Sequence, residues 1–262
     1  MLLAIDVGNT NTVVGLYEDD RLCESWRLKT DPATTADEHH LAYRALLQSD
    51  WPDPTGIALC STVPAVLREL RWMLARYYAD LPTVIVEPGT RTGVRIVTDN
   101  PREVGADRIV NTLAAHDRHG GPCVVVDFGT STNFDVVGPA GEFLGGALAP
   151  GIQISLDALA ARAAQLRKVE LQLPRSVIGR NTVESLQSGA IYGFAGQVDG
   201  IVSRIAAETG PLTAVIATGG LAELVVDQSS TITHHEADLT LHGLRLVFQR
   251  NQLAGGAVDP SP

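Results

Sequence analysis

Positive charge is scarce in this chain. Lys and Arg together number 20 against 30 Asp and Glu, a net charge of −10 over 262 residues. A nucleic-acid partner needs a basic face, so this balance argues against one. Only Lys29 and Lys168 are lysines, neither follows a glycine-rich loop, and no GxxxxGK[ST] occurs. Any nucleotide bound here is therefore not held by a P-loop. No apolar run approaches 18 residues, which excludes a helical membrane span. The start, Met1 to Ile5, has no basic lead and is interrupted by Asp6, so it does not read as a secretory signal. Cysteine is also rare. Cys23, Cys60 and Cys123 are odd in number, far apart and set in apolar stretches, and read as reduced packing residues of a cytoplasmic protein. GxSxG, HExxH and CxxC are all missing. The adjacent pairs His39-His40 and His234-His235 point their two rings in different directions and form no triad.

What is present reads as alternating strands and helices. The hydrophobic fraction is 45% and the charged fraction 19%, ordinary for a globular chain long enough for one large or two modest domains. Strands are expected at Leu2 to Val7, Val13 to Tyr17 and Arg21 to Leu28, then a helix from Ala36 to Gln48 with Thr35 as its cap. Strand Gly56 to Ser61, helix Ala65 to Tyr78 after Pro64, strand Thr83 to Glu87 and a helix from Asp107 to His116 follow. His119-Gly120-Gly121-Pro122 is the expected boundary, after which the order restarts. Strands are expected over Cys123 to Val126, Phe134 to Val137 and Glu142 to Leu148, and helices over Gln153 to Arg167 and Val183 to Thr209. Strand Thr213 to Ala217, a short helix after Thr218-Gly219-Gly220 and a helix from Leu241 to Asn251 complete the set. The expected domains are 1–118 and 119–253, with 254–262 a disordered tail.

Two short segments carry the chemistry. Asp6-Val7-Gly8-Asn9-Thr10-Asn11-Thr12 and Asp127-Phe128-Gly129-Thr130-Ser131-Thr132-Asn133 each end a buried-strand pattern in a carboxylate, then glycine, then hydroxyls and amides. Each leads into a second apolar stretch, so each is a β-hairpin whose turn displays backbone N–H groups, hydroxyls and one carboxylate. Such a turn can hold a phosphate and the magnesium that travels with it. A lone Asp-Gly turn would need no such reading, because those residues close turns everywhere. Two matched copies about 120 residues apart imply two similar half-domains facing one nucleotide. That pattern is α/β, a duplicated actin-like (ribonuclease H-like) fold with mixed sheets and an interdomain nucleotide cleft, rather than a Rossmann sheet.

Gly105-Ala106-Asp107-Arg108 opens a helix. Asp107 reads equally as an N-cap and as a carboxylate placed to accept the proton of a substrate hydroxyl beside a phosphate. Arg108 reads as a surface charge or as a partner for a carboxylate or a moving phosphoryl group. Gly145 to Gly151 is a run of small residues ahead of a helix that fits close backbone approach to a ligand or to the other domain, or a plain strand-to-helix loop. Gly179-Arg180-Asn181-Thr182 precedes a long helix, which Asn181 or Thr182 can cap.

In order, DVGNTNTVVG, GADR, DFGTSTNFD, GGALAPG, GRNTVESLQSG and TGG run from Asp6 to Gly220. With these six motifs the chain closely resembles the type III pantothenate kinases of the acetate and sugar kinase, heat-shock ATPase and actin superfamily. The resemblance implies ATP-dependent phosphorylation of the primary hydroxyl of pantothenate to 4′-phosphopantothenate, the first step of coenzyme A synthesis. It implies Mg²⁺ with ATP, a monovalent cation (K⁺ or NH₄⁺) and a homodimer. By the same resemblance Asp6, Val7, Gly8, Asn9, Thr10, Asn11, Thr12 and Val13 embrace ATP phosphates, with Asp6 near Mg²⁺, and Thr130 contacts ATP. Asp107 is the proton acceptor, Gly105, Ala106, Asp107, Arg108 and Thr182 touch pantothenate, and Asp127 coordinates the monovalent cation. The chain departs from many relatives at Thr98, where a tyrosine lines the pantothenate pocket. A sugar kinase or a non-catalytic regulator on the same scaffold are the alternatives. The GADR segment discriminates the first, and intact turn carboxylates argue against the second.

Overall fold

A computed structural model describes residues 1–47, 51–163, 166 and 168–255. In chain order the elements are β1 (Leu2–Val7), β2 (Asn11–Glu18), β3 (Arg21–Lys29), α1 (Ala36–Leu47), β4 (Gly56–Ser61), α2 (Pro64–Tyr77), β5 (Thr83–Ile85) and α3 (Ala106–His119). They continue with β6 (Cys123–Phe128), β7 (Ser131–Val137), β8 (Phe143–Pro150), α4 (Ile152–Arg162), α5 (Thr182–Thr209), β9 (Ala214–Thr218), β10 (His234–His235) and α6 (Leu239–Gly255).

The strands form two five-stranded sheets, ordered β3-β2-β1-β4-β5 and β8-β7-β6-β9-β10. In each, the first three strands are antiparallel and the last two join in parallel. The duplication expected from the two turns is thus a duplication of whole sheets, and the chain is α/β with two units. The units are discontinuous in sequence. The first comprises 1–94, 100–114 and 240–262, and the second 95–99 and 115–239. A single cut between residues 118 and 119 does not describe them, because α6 returns to the first unit.

In the first unit the alternation of β1 assigns its two faces. Leu3, Ile5 and Val7 join Val14, Leu16, Ile57 and Leu59 against Tyr43 and Leu47 of α1 and Val66, Leu70 and Met73 of α2. Ala4, Ala58 and Cys60 face the other way, against Val110 and Leu113 of α3 and Leu241, Leu244 and Val247 of α6. With helices on both faces the central strands carry near-continuous apolar runs. Each fully buried Leu or Ile contributes about 1.5–3 kcal/mol. Asp6 belongs to the second of these faces, the one α3 covers.

In the second unit Val124, Val126, Phe128 and Phe134 pack against Ala190, Ala195, Val198 and Val202 of α5. Asn181 caps α5, its side chain accepting from the Glu184 N–H, and Gly210 at φ 88° ends it. Residues 95–97 lie along β8, with the Val97 N–H donating to the Phe143 carbonyl at 2.8 Å.

Some boundaries differ from expectation. The helix expected to reach Arg167 ends at Arg162, and residues 164, 165 and 167 lie outside the described set. The end of the first helix at Gln48 lies outside it too. Of the tail expected over 254–262, residues 254 and 255 are instead helical, since α6 continues through Gly255, and 256–262 lie outside the described residues. Among the described residues no helix is long and apolar enough to cross a membrane.

Candidate active site

The first turn hangs between β1 and β2. Val7 pairs with Thr12, so four residues, Gly8 to Asn11, form the connection. The Gly8 N–H donates to the Asn11 carbonyl at 3.0 Å. Asn9, Thr10 and Asn11 are exposed, Gly8 and Val13 half-buried, and Val7 and Thr12 buried. Asp6 is half-buried at the base. Cys60, its register partner on β4, donates its thiol to Asp6 Oδ1 at 3.2 Å. The sequence marked Cys60 only as packing, because a donor 54 positions away becomes visible only through the strand register.

Asp107 belongs to the same unit. α3 begins at Ala106, which makes Gly105 the residue before the helix and Asp107 the second residue within it. The N-cap reading of Asp107 is therefore corrected: its Oδ1 accepts from the Arg108 N–H at 2.9 Å inside the first turn. A Cβ on Gly105 would stand 2.5 Å from Asp107 Oδ1, so glycine there leaves room for the carboxylate. Burial pushes the Asp6 carboxyl up to about 7, and the negative charge of Asp107 adds to the shift, while the Cys60 thiol opposes it. Burial also raises Asp107, against the pull of the Arg108 N–H and guanidinium. Two carboxyl groups close enough to repel could serve as donors to a hard cation, whose charge would offset that repulsion. Among the described residues no three His, Cys, Asp or Glu side chains converge as a metal cage. A cation bound mainly by phosphate oxygens and water needs only one or two carboxylates, and the Asp6–Asp107 arrangement fits that.

The second turn, in the other unit, is shorter. Phe128 pairs with Thr132, leaving Gly129, Thr130 and Ser131 as the connection. Matching hydroxyls at equal distance from the aspartate is thus off by one after the glycine: the structure equates Thr12 with Thr132. The Gly129 N–H donates to the Ser131 carbonyl at 3.0 Å. Asp127 is half-buried at the strand end and Thr130 exposed at the tip. Gly219, at φ 91°, lies so close that a Cβ would approach Asp127 Oδ1 to 2.4 Å. The small-residue run is explained within this unit, since a Cβ on Gly146 would collide with the Phe134 carbonyl oxygen at 1.7 Å. Thr182 is the exposed first residue of α5, and its neighbour Asn181 is the cap.

The structure thus brings Asp6, Gly105, Ala106, Asp107 and Arg108 together in one unit with the first turn. Asp127, Thr130 and Thr182 belong to the other.

The family model described as type III pantothenate kinase matches residues 2–204. A type III pantothenate kinase from Frankia alni is 68% identical over 251 residues, covering 96% of this chain and 100% of that protein. One from Salinispora arenicola is 64% identical over 251 residues with the same coverage. Among solved structures, a ROK hexokinase from Thermus thermophilus superposes with a TM-score of 0.52 at 15% identity, covering 94% of this chain and 97% of that one. At that identity the likeness speaks for the fold alone.

Proposed function

The chain belongs to the type III pantothenate kinase family, and on that premise we propose how its residues phosphorylate pantothenate at the expense of ATP. The reaction is phosphoryl transfer to the primary hydroxyl of pantothenate, giving 4′-phosphopantothenate at the entry to coenzyme A synthesis. The observation that carries the assignment of roles is the Asp6–Asp107 pair in the first unit.

Phosphoryl transfer passes through a loose transition state, so the protein's task is positioning and charge neutralisation. Asp107 is the proton acceptor. Its raised proton affinity suits a group that orients the substrate hydroxyl and takes its proton late. Arg108, the next residue, supplies positive charge to substrate or to the phosphoryl oxygens. Gly105, Ala106 and Thr182 complete the pantothenate contacts. The exposed amide and hydroxyl groups of Asn9, Thr10 and Asn11, on a turn closed by the Gly8 N–H, hold the ATP phosphates in the first unit, and Thr130, exposed at the tip of the second unit's turn, is a further ATP contact. Asp6 would hold the magnesium that travels with the nucleotide, and Asp127 would hold the monovalent cation, potassium or ammonium. When bound, such cations would supply neutralisation of the charge on the transferring phosphoryl group. Three unpaired cysteines suit a reducing, cytoplasmic setting.

The working unit is a homodimer. Gly189, Gly193 and Gly196 follow each other at helical spacing on α5, are exposed, and have no atom within 4 Å of the place a Cβ would take. Each costs the helix roughly 0.5–1 kcal/mol relative to alanine. A second copy approaching closely along this face gives that cost a purpose. Exposed Leu148, Val177 and Ile178 of the same unit add apolar surface.

The test is ADP release from ATP and Mg²⁺ by purified protein, with and without pantothenate, and with potassium replaced by sodium. Release that requires pantothenate and potassium is the expected result. Release with a sugar acceptor instead, or with none, overturns the substrate assignment.

A further inference from the structure

Thr30 follows β3 directly and is 6% exposed. Its backbone N–H donates to the Thr10 carbonyl at 3.0 Å. Its hydroxyl lies 2.9 Å from the hydroxyl of Thr12, itself 3% exposed. One residue outside the first turn therefore grips it at two points, one on the exposed tip and one at the closing pair.

The second unit shows what this grip is for. Gly151 follows β8 as Thr30 follows β3, and its N–H makes the matching bond to the Thr130 carbonyl at 3.1 Å. The two positions are equivalent, yet their side chains differ for a steric reason. A Cβ on Gly151 would stand 2.3 Å from the Thr130 oxygen and 2.6 Å from the Gly129 oxygen. The three-residue turn is packed directly on the following backbone and has no room for a side-chain tether. Thr132, the counterpart of Thr12, is fully buried and its hydroxyl finds no partner there. The first turn has one more residue to hold in place, and there a threonine adds a hydroxyl bridge to the backbone bond.

We infer that Thr30 is a positioning residue for the phosphoryl-donor site: it fixes Thr10 and Thr12 so that the turn between them presents its N–H and hydroxyl groups to the nucleotide phosphates in one arrangement. This rests on the reading of Gly8 to Thr12 as the ATP-phosphate turn. The bridge is buried, so its hydrogen bond is not exchanged for water when broken, and its loss frees the turn before ATP arrives.

The experiment compares Thr30→Val, Thr30→Ser, Thr12→Val and the double valine variant in steady-state kinetics, well below their melting temperatures. Thr30→Val is expected to raise KM for ATP about tenfold, the size of one lost buried hydrogen bond, with KM for pantothenate unchanged. Thr30→Ser keeps the hydroxyl and restores the wild-type KM for ATP. The double variant is no worse than the poorer single, because both cut the same bridge. If Thr30→Val does not fold, Thr12→Val carries the same expectation from the other side. Equal rises in both KM values, or a lower melting temperature with KM for ATP unmoved, overturn the inference. Asp6→Asn run alongside separates the two levels. If it abolishes turnover while Thr30→Val leaves KM for ATP unchanged, the clamp alone fails. If it leaves turnover and KM for ATP unchanged, the turn is not the nucleotide site and the clamp falls with it.

Discussion

Asp107 and Asp6 sit close enough for one to raise the proton affinity of the other, but their removal has different consequences. Asp107→Asn deletes the proton acceptor and keeps the shape, so kcat falls about 10²- to 10⁴-fold with the melting temperature little changed. Asp6 makes a prediction about pH. Its folded-state pKa of about 7 lies above the ordinary 3.8, so the folded protein holds this proton more tightly than the unfolded chain. The stability it contributes is fully present below pH 3.8 and is lost as pH rises towards 7. In the nucleotide-free enzyme Asp6→Asn should therefore raise the melting temperature at pH 8 and leave it nearly unchanged at pH 4, as a pH series of thermal melts would show. On the kinetic side, kcat/KM of the free enzyme should fall on the acid side with a limb well above pH 4, belonging to the pair rather than to either carboxyl. The placement of Asp6 and Asp127 at matching strand ends was legible because an apolar run closing on a carboxylate and a glycine appears twice. Cys60 and Thr30 were not, since each acts through a partner that only strand pairing brings alongside.

Helix starts were the most readable elements. Thr35 caps α1 as expected, and the structure adds Glu38 as its partner: the Glu38 carboxylate accepts from the Thr35 N–H at 2.8 Å, and the Glu38 N–H reaches Thr35 Oγ1 at 3.4 Å. Pro64 sits at the start of α2, where its missing N–H costs nothing. For α5 the alternatives were Asn181 and Thr182, and the structure selects Asn181, whose Oδ1 accepts from the Glu184 N–H at 2.9 Å. Asn181→Ala should lower unfolding free energy by about 1 kcal/mol in urea titrations, with Thr182 left in place. Turn length was harder to read. The two aspartate-glycine segments look alike in sequence up to the glycine, but a four-residue and a three-residue connection follow, and only cross-strand register distinguishes them. The two-residue β10 carries no periodic signal of its own. His234 and His235 are strand because β9 lies alongside.

For the whole molecule, the alternation of strands and helices along the chain followed from the apolar runs, and the doubling of the sheet from the two matched turns. The interleaving of the two units did not, since α6 has the apolar periodicity of any amphipathic helix and nothing local says which sheet it will cover. The dimer gives a prediction at the same scale. Gly193→Leu should increase helix propensity by roughly 0.7–1 kcal/mol and so keep α5 intact, yet convert the protein to monomers in sedimentation velocity. A dimer that survives the substitution would place the interface elsewhere. The return of α6 to the first unit also governs synthesis. β1 to β5 leave the ribosome early, but Leu241, Leu244 and Val247, which cover Ala4, Ala58 and Cys60, are made only after the entire second unit. Throughout elongation that face of the nascent first sheet has only Val110 and Leu113 of α3 to cover it, so a message truncated before codon 239 yields a half-covered sheet rather than a small working domain.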